Sequence, residues 1–339
     1  MKVYAGIDLH STNCYLAMMD DEGHRLTGCR TRNDLKQIIE ILSEHVDDLE
    51  GVVVESTYNW YWLVDGLMDQ GWNVHLANPA AMQQYKGLKH AGDRHDAFWL
   101  AEMLRLGILP EGYIYPKQIR PIRDLLRTRG VLVRKRTSLM TNLSNIVARN
   151  TGRTPRGSDI KVLRENRVAP LLSDDRHLQA SVEGIKAIID VLTRRIREIE
   201  KVITTSTKLD PAYENLLSIP GVGQVLGLTI VLETGPIGRF PTVGNYVSYC
   251  RKVPSSYMSN NKLKGRGNVK NGNRHLANAF GQAADHARRH DDLVRAYYNR
   301  KKQKTNTAMA HATVAHKLAR ATYHMMNTGQ QFASERAFG

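Results

Sequence analysis

Four carboxylates stand where a phosphoryl-transfer site could be built. Asp8 follows the apolar run Val3–Ile7, Glu55 follows Val52–Val54, and Asp93 and Asp96 open a helical pattern in Gly92-Asp93-Arg94-His95-Asp96-Ala97. A spacing of three puts Asp93 and Asp96 on one helix face. Acids in a first helical turn are also ordinary caps, favoured by the helix dipole. The strand-end acids tip the reading toward chemistry, because strands of an α/β sheet aim their ends at a common crevice where an unpaired carboxylate is costly. A divalent cation would account for all four. Oxygen-only ligands suit Mg²⁺ or Mn²⁺, and two such ions about 4 Å apart can clamp the attacking and leaving oxygens of a phosphodiester.

The elements that must position these acids are legible in the periodicity. Residues 2–9, 14–19 and 25–31 read as three strands in a meander, the last two joined by Asp20-Asp21-Glu22-Gly23. A helical period over 34–46, a buried-type strand at 51–55, a helix over 59–70, a strand at 73–77 and a helix over 94–107 complete an α/β domain with a mixed sheet. Residues 117–150 are helix-compatible and basic. From 178 to 203, Leu178, Val182, Ile185, Ile189, Leu192, Ile196, Ile199 and Ile203 alternate spacings of four and three, the signature of a coiled-coil seam that joins protomers. A buried amphipathic helix is the competing reading, since Ile188 and Val202 widen the stripe. Beyond Asp210-Pro211 the pattern is mostly helical, with helices expected at about 273–289 and 305–327. Trp60, Trp62 and Trp99 fall at helical positions and read as core.

Charge is unevenly distributed along the 339 residues, whose formal net charge is +15. Residues 1–116 hold 9 Lys and Arg against 17 Asp and Glu, whereas 117–167 and 251–304 each hold 14 basic and 3 acidic side chains. Two dense basic blocks beside an acidic domain point to nucleic acid. The three cysteines form no C-x-x-C pair, which argues against a disulfide framework or a zinc cluster. No basic leader precedes the first strand and no 18 uncharged apolar residues run in succession, so the expected setting is the cytoplasm, away from membrane.

In order and spacing, Gly6-Ile7-Asp8, Val54-Glu55-Ser56-Thr57, Asn78-Pro79 and Asp93-x-x-Asp96-Ala97-x-x-Leu100-Ala101-Glu102 resemble the DEDD transposases of bacterial insertion sequences, the group that includes the pilin-gene invertase. Ile219-Pro220-Gly221-Val222-Gly223, Phe240 and the run Lys264-Gly265-x-Gly267-Asn268-x-Lys270-Asn271-Gly272-Asn273 are similar to that family's C-terminal transposase domain. The resemblance implies an α/β RNase H-like (RuvC-like) catalytic domain over 1–116. A basic helix and helical coiled-coil region over 117–209 and a mostly α-helical transposase domain over 210–339 follow. It also implies an RNA-guided recombinase that pairs a non-coding bridge RNA with double-stranded donor and target DNA and works as a homodimer assembling to a tetramer, one protomer's acids meeting another's serine. In that family a C-terminal serine attacks the phosphodiester while metal on the four acids stabilises developing charge.

Alignment of Pro254 and Tyr257 with the family pattern puts that serine at Ser259, with Ser255 and Ser256 as neighbours in competition; Asn260 and Asn261 stand where small residues are common. Lys117, Arg120, Arg123, Arg127, Arg129, Arg134, Lys135 and Arg136 make a helical surface suited to phosphate and 2′-OH contacts. Arg251, Lys252, Lys262, Lys264, Arg266, Lys270 and Arg274 surround the candidate serine in a stretch free of acids. The turn at 219–223 reads as a helix-hairpin-helix whose amides face a phosphate, or as a plain tight turn. Two other functions fit the same residues: a junction resolvase or RNase H-like nuclease in which the acids activate water, and a non-catalytic RNA-binding scaffold.

Overall fold

The structure, a computed structural model, describes residues 1–82, 92–162, 175–206, 211–254, 256–266 and 271–339. The chain divides into two compact units, Met1–Lys117 with Tyr257–Asn271, and Gln118–Ser256 with Gly272–Gly339.

In the first unit, β1 (Val3–Leu9), β2 (Asn13–Asp20) and β3 (Arg25–Arg32) form the expected meander; α1 (Leu35–Ser43), β4 (Leu49–Glu55), α2 (Tyr61–Asp69), β5 (Val74–Ala77) and α3 (Asp93–Arg105) follow. The sheet order is β3-β2-β1-β4-β5, with β2 antiparallel to β1 and to β3, β4 parallel to β1, and β5 parallel to β4. This mixed sheet bears out the RNase H-like reading of the N-terminal domain. Successive residues of a strand face opposite sides. Val3, Ala5, Ile7 and Leu9 enter one core with Ile38, Leu42, Leu63 and Leu67 of α1 and α2, and Trp60 joins them. Ala17, on the opposite face, packs with Ala97, Phe98 and Ala101 of α3. The apolar run Val52–Val54 is wholly buried, as a strand covered on both faces must be.

Across the α3 side runs a row of small residues, Gly6, Ala17 and Gly28, set by the strand register. Gly6 is there because α3 lies on it: a Cβ would overlap the Ala97 carbonyl oxygen and sit 2.7 Å from the Ala101 nitrogen. The next row on the same face is Asp8, Tyr15 and Arg30. One row therefore seats the helix, and the next carries charge to its N-terminal turn.

The second unit is helical. Its elements are α4 (Arg120–Thr151), α5 (Gly157–Val162), α6 (Arg176–Ser206), α7 (Pro211–Leu216), α8 (Gln224–Thr234) and α9 (Val243–Tyr249), then, after the hairpin β6 (Ser256–Ser259) and β7 (Lys262–Arg266), α10 (Arg274–His290), α11 (Asp292–Lys304), α12 (Thr307–Thr328) and α13 (Ser334–Phe338). Gly152, at φ 69°, ends α4 in the left-handed cap glycine favours. Rows of alanine, Ala279, Ala283, Ala284 and Ala287 of α10 against Ala310, Ala315 and Ala319 of α12, let these helices meet closely around Phe280 and Tyr246.

The apolar stripe of α6 requires a correction. It does not stand open to a second protomer: Val182 and Ile189 are fully buried against Leu143, Ile146 and Val147 of α4, and Ile203 against Leu126. Arg129 pairs with Glu200, and Arg136 donates to Thr193, so the helices run in opposite directions. A heptad stripe demands a partner helix without saying whose chain supplies it, and α4 fills the seam.

Candidate functional site

The structure brings the four acids within reach of one another. Asp8 is buried near the end of β1, and its carboxyl shares a hydrogen bond with Glu55 at the end of β4. Burial and this neighbour push Glu55 up to about 7; the Asp8 and Asp96 charges act in the same direction. Burial also raises Asp8, against the pull of His10, with Asp96 and Asp93 adding to the rise. Asp93 goes the other way: although desolvation opposes ionisation, His10 and Arg30 hold it below the usual carboxylate range. Four carboxylates within one another's fields, two of them reluctant to ionise, are short of positive charge.

Two residues not anticipated from sequence complete the cluster. His10 Nε2 lies 3.3 Å from Asp8 Oδ2 and 3.2 Å from Asp93 Oδ1, and Arg30 Nη2 is 2.5 Å from Asp93 Oδ2. Ligating atoms of Asp8, His10 and Asp93 all fall within 4.8 Å of one another, close enough to share one cation. An imidazole thus stands beside the carboxylates as a further candidate donor, and one would widen the range of divalent ions that fit. His10 is held from behind, where its carbonyl accepts hydrogen bonds from Asn33 Nδ2 at 3.0 Å and Asn59 Nδ2 at 2.9 Å. The sequence signal was the Asp8-Leu9-His10 alternation; for Arg30 it was the register row through Tyr15, invisible until the strands pair.

The hairpin carrying Ser259 groups with the first unit, although the chain reaches it from α9 and returns into α10. Its base is cinched: Arg251 donates through Nε and Nη2 to the Gly272 carbonyl at 3.1 and 2.8 Å, and Asn273 N donates to Tyr249 O at 2.6 Å. Ser259 ends β6. Asn260 and Asn261, at φ 49° and 56°, form the two-residue turn into β7. Both central residues of such a hairpin turn need positive φ, which asparagine tolerates, so the departure from small residues has a conformational reason. Ser255 and Lys270 lie outside the described residues.

The basic residues divide into two kinds. Lys117, Arg134 and Lys135 are exposed, as are Lys262 and Lys264 of β7. Arg120 and Arg123 are buried, which corrects their expected role on a phosphate-binding surface. Arg123 Nε donates to Glu233 Oε2 at 3.0 Å, and Arg127 grips the same carboxylate through Nε at 2.6 Å and Nη2 at 2.9 Å. Asn273 Nδ2 adds a fourth hydrogen bond at 2.8 Å while its own oxygen caps α10. Burial alone would raise Glu233, but Arg127, Arg123 and Asn273 pull it down to about 2. Arg251 is engaged with Gly272, and Lys252 is half-buried, its ammonium pKa lowered by desolvation. Arg266 lies on β7.

Comparison with known proteins agrees with both motif sets. Residues 5–149 match the DEDD transposase domain of IS110 elements, and residues 213–299 match the transposase family IS116/IS110/IS902. The chain belongs to the IS110 family of insertion-sequence transposases. Among its relatives are a Pseudomonas aeruginosa protein assigned to the family 20 transposases, 24% identical over 59% of this chain, and an IS110 insertion-element protein of Streptomyces coelicolor, 25% identical over 48%. The chain spans 59% and 40% of those relatives' lengths. A further Streptomyces coelicolor protein, assigned as the mini-circle transposase for IS117, is 24% identical over the whole of this chain and 97% of its own. Among solved structures, Thermus thermophilus RuvC in complex with a Holliday junction substrate is similar over 33% of this chain and all of its own, with 18% identity and a TM-score of 0.26.

All four acids and the hairpin fall in what the two family descriptions cover, whereas the helices beyond residue 299 lie outside them. The three cysteines are free, and among the described residues no helix is long and apolar enough to cross a membrane.

Proposed function

We propose that this IS110-family protein is an RNA-guided DNA recombinase that cuts and rejoins strands through a phosphoserine at Ser259. The observation that carries the reading is that the acid cluster and the Ser259 hairpin belong to one compact unit, although some 160 residues of chain separate Asp96 from Tyr257. The acid cluster fits a divalent ion, because Asp8 and Glu55 resist ionisation without one and His10, Asp93 and Asp8 offer ligating atoms within reach of a single centre. Asp8, Glu55, Asp93 and Asp96 would hold Mg²⁺ or Mn²⁺, which supplies Lewis-acid stabilisation of charge developing on the phosphoryl oxygens.

Ser259 Oγ attacks phosphorus, the Oγ–P bond forms as one P–O ester bond breaks, and the freed strand end leaves as a hydroxyl with the serine proton. The ester count is unchanged, so rejoining by reversal on a new strand needs no external energy. Glu55, pushed up to about 7 by burial, is the carboxylate suited to move that proton near neutral pH, and Asp8, also raised by burial, shares a hydrogen bond with it. The exposed cations Arg134 and Lys135 on α4, with Lys262 and Lys264 on β7, offer phosphate contacts to a bridge RNA and to double-stranded donor and target DNA.

Assembly as homodimers that pair into a tetramer would use the outer face of α6, where Ile188, Val191 and Val202 stay about half exposed. The test of the chemistry is cleavage of a supercoiled target with bridge RNA present. Asp8→Asn should lose strand cleavage with Mg²⁺ while keeping RNA and DNA binding; cleavage near the unsubstituted level would remove the metal-assisted reading.

A further inference from the structure

Beyond the residues matched by the family descriptions, α12 and the C-terminal stretch 330–337 enclose a groove of about 560 Å³. Lys317, Arg320 and Arg336 line it together with His316 and His324, and no carboxylate does. Among the described residues none of these three cations has a carboxylate partner. Arg336 Nη1 donates to Gln330 Oε1 at 3.1 Å, and Lys317 Nζ donates to the Ala337 carbonyl at 2.6 Å, lying 4.8 Å from the Tyr297 ring centre.

Two ordinary explanations fail. A helix dipole favours cations only in the last turn, and Lys317 and Arg320 stand two to three turns before the end of α12 at Thr328. A solvated charged face would let its long side chains extend into water, whereas Lys317 is folded back against Ala337 and Tyr297. Burial lowers the Lys317 pKa, and Arg320 of the groove, with Lys301 and Arg300 of the neighbouring α11, lowers it further, so cations crowd one another at this end of the groove. An anion relieves that repulsion.

The volume lies in the range of small-ligand sites, roughly 300–1,000 Å³, and well above the roughly 30 Å³ of one water, so more than a bare phosphate can enter. Gln330, Gln331, Thr313 and Thr328 add neutral donors and acceptors suited to a sugar or a base edge. We propose that this groove is a phosphate-binding subsite for a single nucleic-acid strand, its backbone held by Lys317, Arg320 and Arg336. The choice of a nucleic acid as the anion rests on the function proposed above; the anionic character of the ligand does not.

The test uses the full-length chain and fluorescein-labelled ten-nucleotide single strands, RNA and DNA in separate arms, with anisotropy followed against salt. Arg320→Gln with Arg336→Gln, both exposed, should weaken binding and make the log–log salt slope shallower by about 1.4, following 0.7 per single-strand phosphate contact. Arg320→Lys with Arg336→Lys should restore most of the slope, and Asp8→Asn should leave it unchanged. The arm with the larger loss identifies the strand as RNA or DNA. An unchanged slope in both arms overturns the proposal, as does a loss that the lysine pair fails to rescue. If Asp8→Asn still cleaves while the glutamine pair flattens the slope, the metal reading fails and the groove stands.

Discussion

Gly6 of β1 lies directly beneath Ala97 of α3, so closely that a methyl group on Gly6 would overlap the Ala97 carbonyl oxygen. This approach sets the height of α3 above the sheet, and with it the reach of Asp93 and Asp96 toward Asp8. Gly6→Ala should therefore cost roughly 1–3 kcal/mol, as overpacking does, and displace the acids together. Thermal denaturation reads the first effect. Weaker Mn²⁺ binding by calorimetry reads the second, and Gly23→Ala, at the meander turn with φ 90°, is the control that should lower stability without touching Mn²⁺ affinity.

The pH dependence follows from Glu55. Its pKa rises from an ordinary 4.5 to about 7 on folding, so the native state binds a proton more tightly than the unfolded chain. The stability linked to that proton is complete below about 4.5 and is lost as pH rises through about 7. In chelator, the melting temperature should fall between those values; with Mg²⁺ the fall should be offset at the upper end, because the ion favours the ionised acids. A metal-independent melting curve across that interval would place Glu55 outside the cation site.

Glu233→Gln should destabilise the second unit by about 3–5 kcal/mol, the cost of leaving buried Arg123 and half-buried Arg127 without their anion. Denaturant unfolding checks it. Arg134→Gln with Lys135→Gln, by contrast, should leave stability unchanged and flatten the salt dependence of guide-RNA binding by roughly one unit per phosphate contact. The two basic pairs look alike in the sequence and differ in what faces them.

That contrast marks how far the sequence is legible. The four acids could be read because strand ends and an i, i+3 helix pair leave a local pattern. The partner of Arg123 and Arg127 could not, since Glu233 is more than a hundred residues away and charge counting has no geometry. His10 leaves only the short Asp8-Leu9-His10 alternation and Arg30 leaves no local pattern; they reach the site through a turn held by Asn33 and Asn59 and through a cross-strand row. For α6 the periodicity gave the buried face correctly, but the identity of the covering helix depends on tertiary contacts.

Ile189→Asp should accordingly unfold the α4–α6 pair and not merely separate protomers, because Ile189 is fully buried within the chain. Ile188→Asp with Val202→Asp, on the exposed face of the same helix, should preserve the melting temperature and reduce the mass seen by light scattering. An oligomer of unchanged mass in that second variant would place the protomer interface elsewhere.

The proposed chemistry turns on a covalent link between Ser259 and DNA. A nicked, end-labelled target incubated with protein, bridge RNA and Mg²⁺, then denatured and digested with protease, tests it most directly by mass spectrometry. A nucleotide adduct is expected on the peptide containing Ser259, lost in Ser259→Ala together with recombination while both nucleic acids still bind. An adduct on Ser255 or Ser256 would contradict the assignment, and cleavage without an adduct on any residue would make the protein a nuclease that activates water.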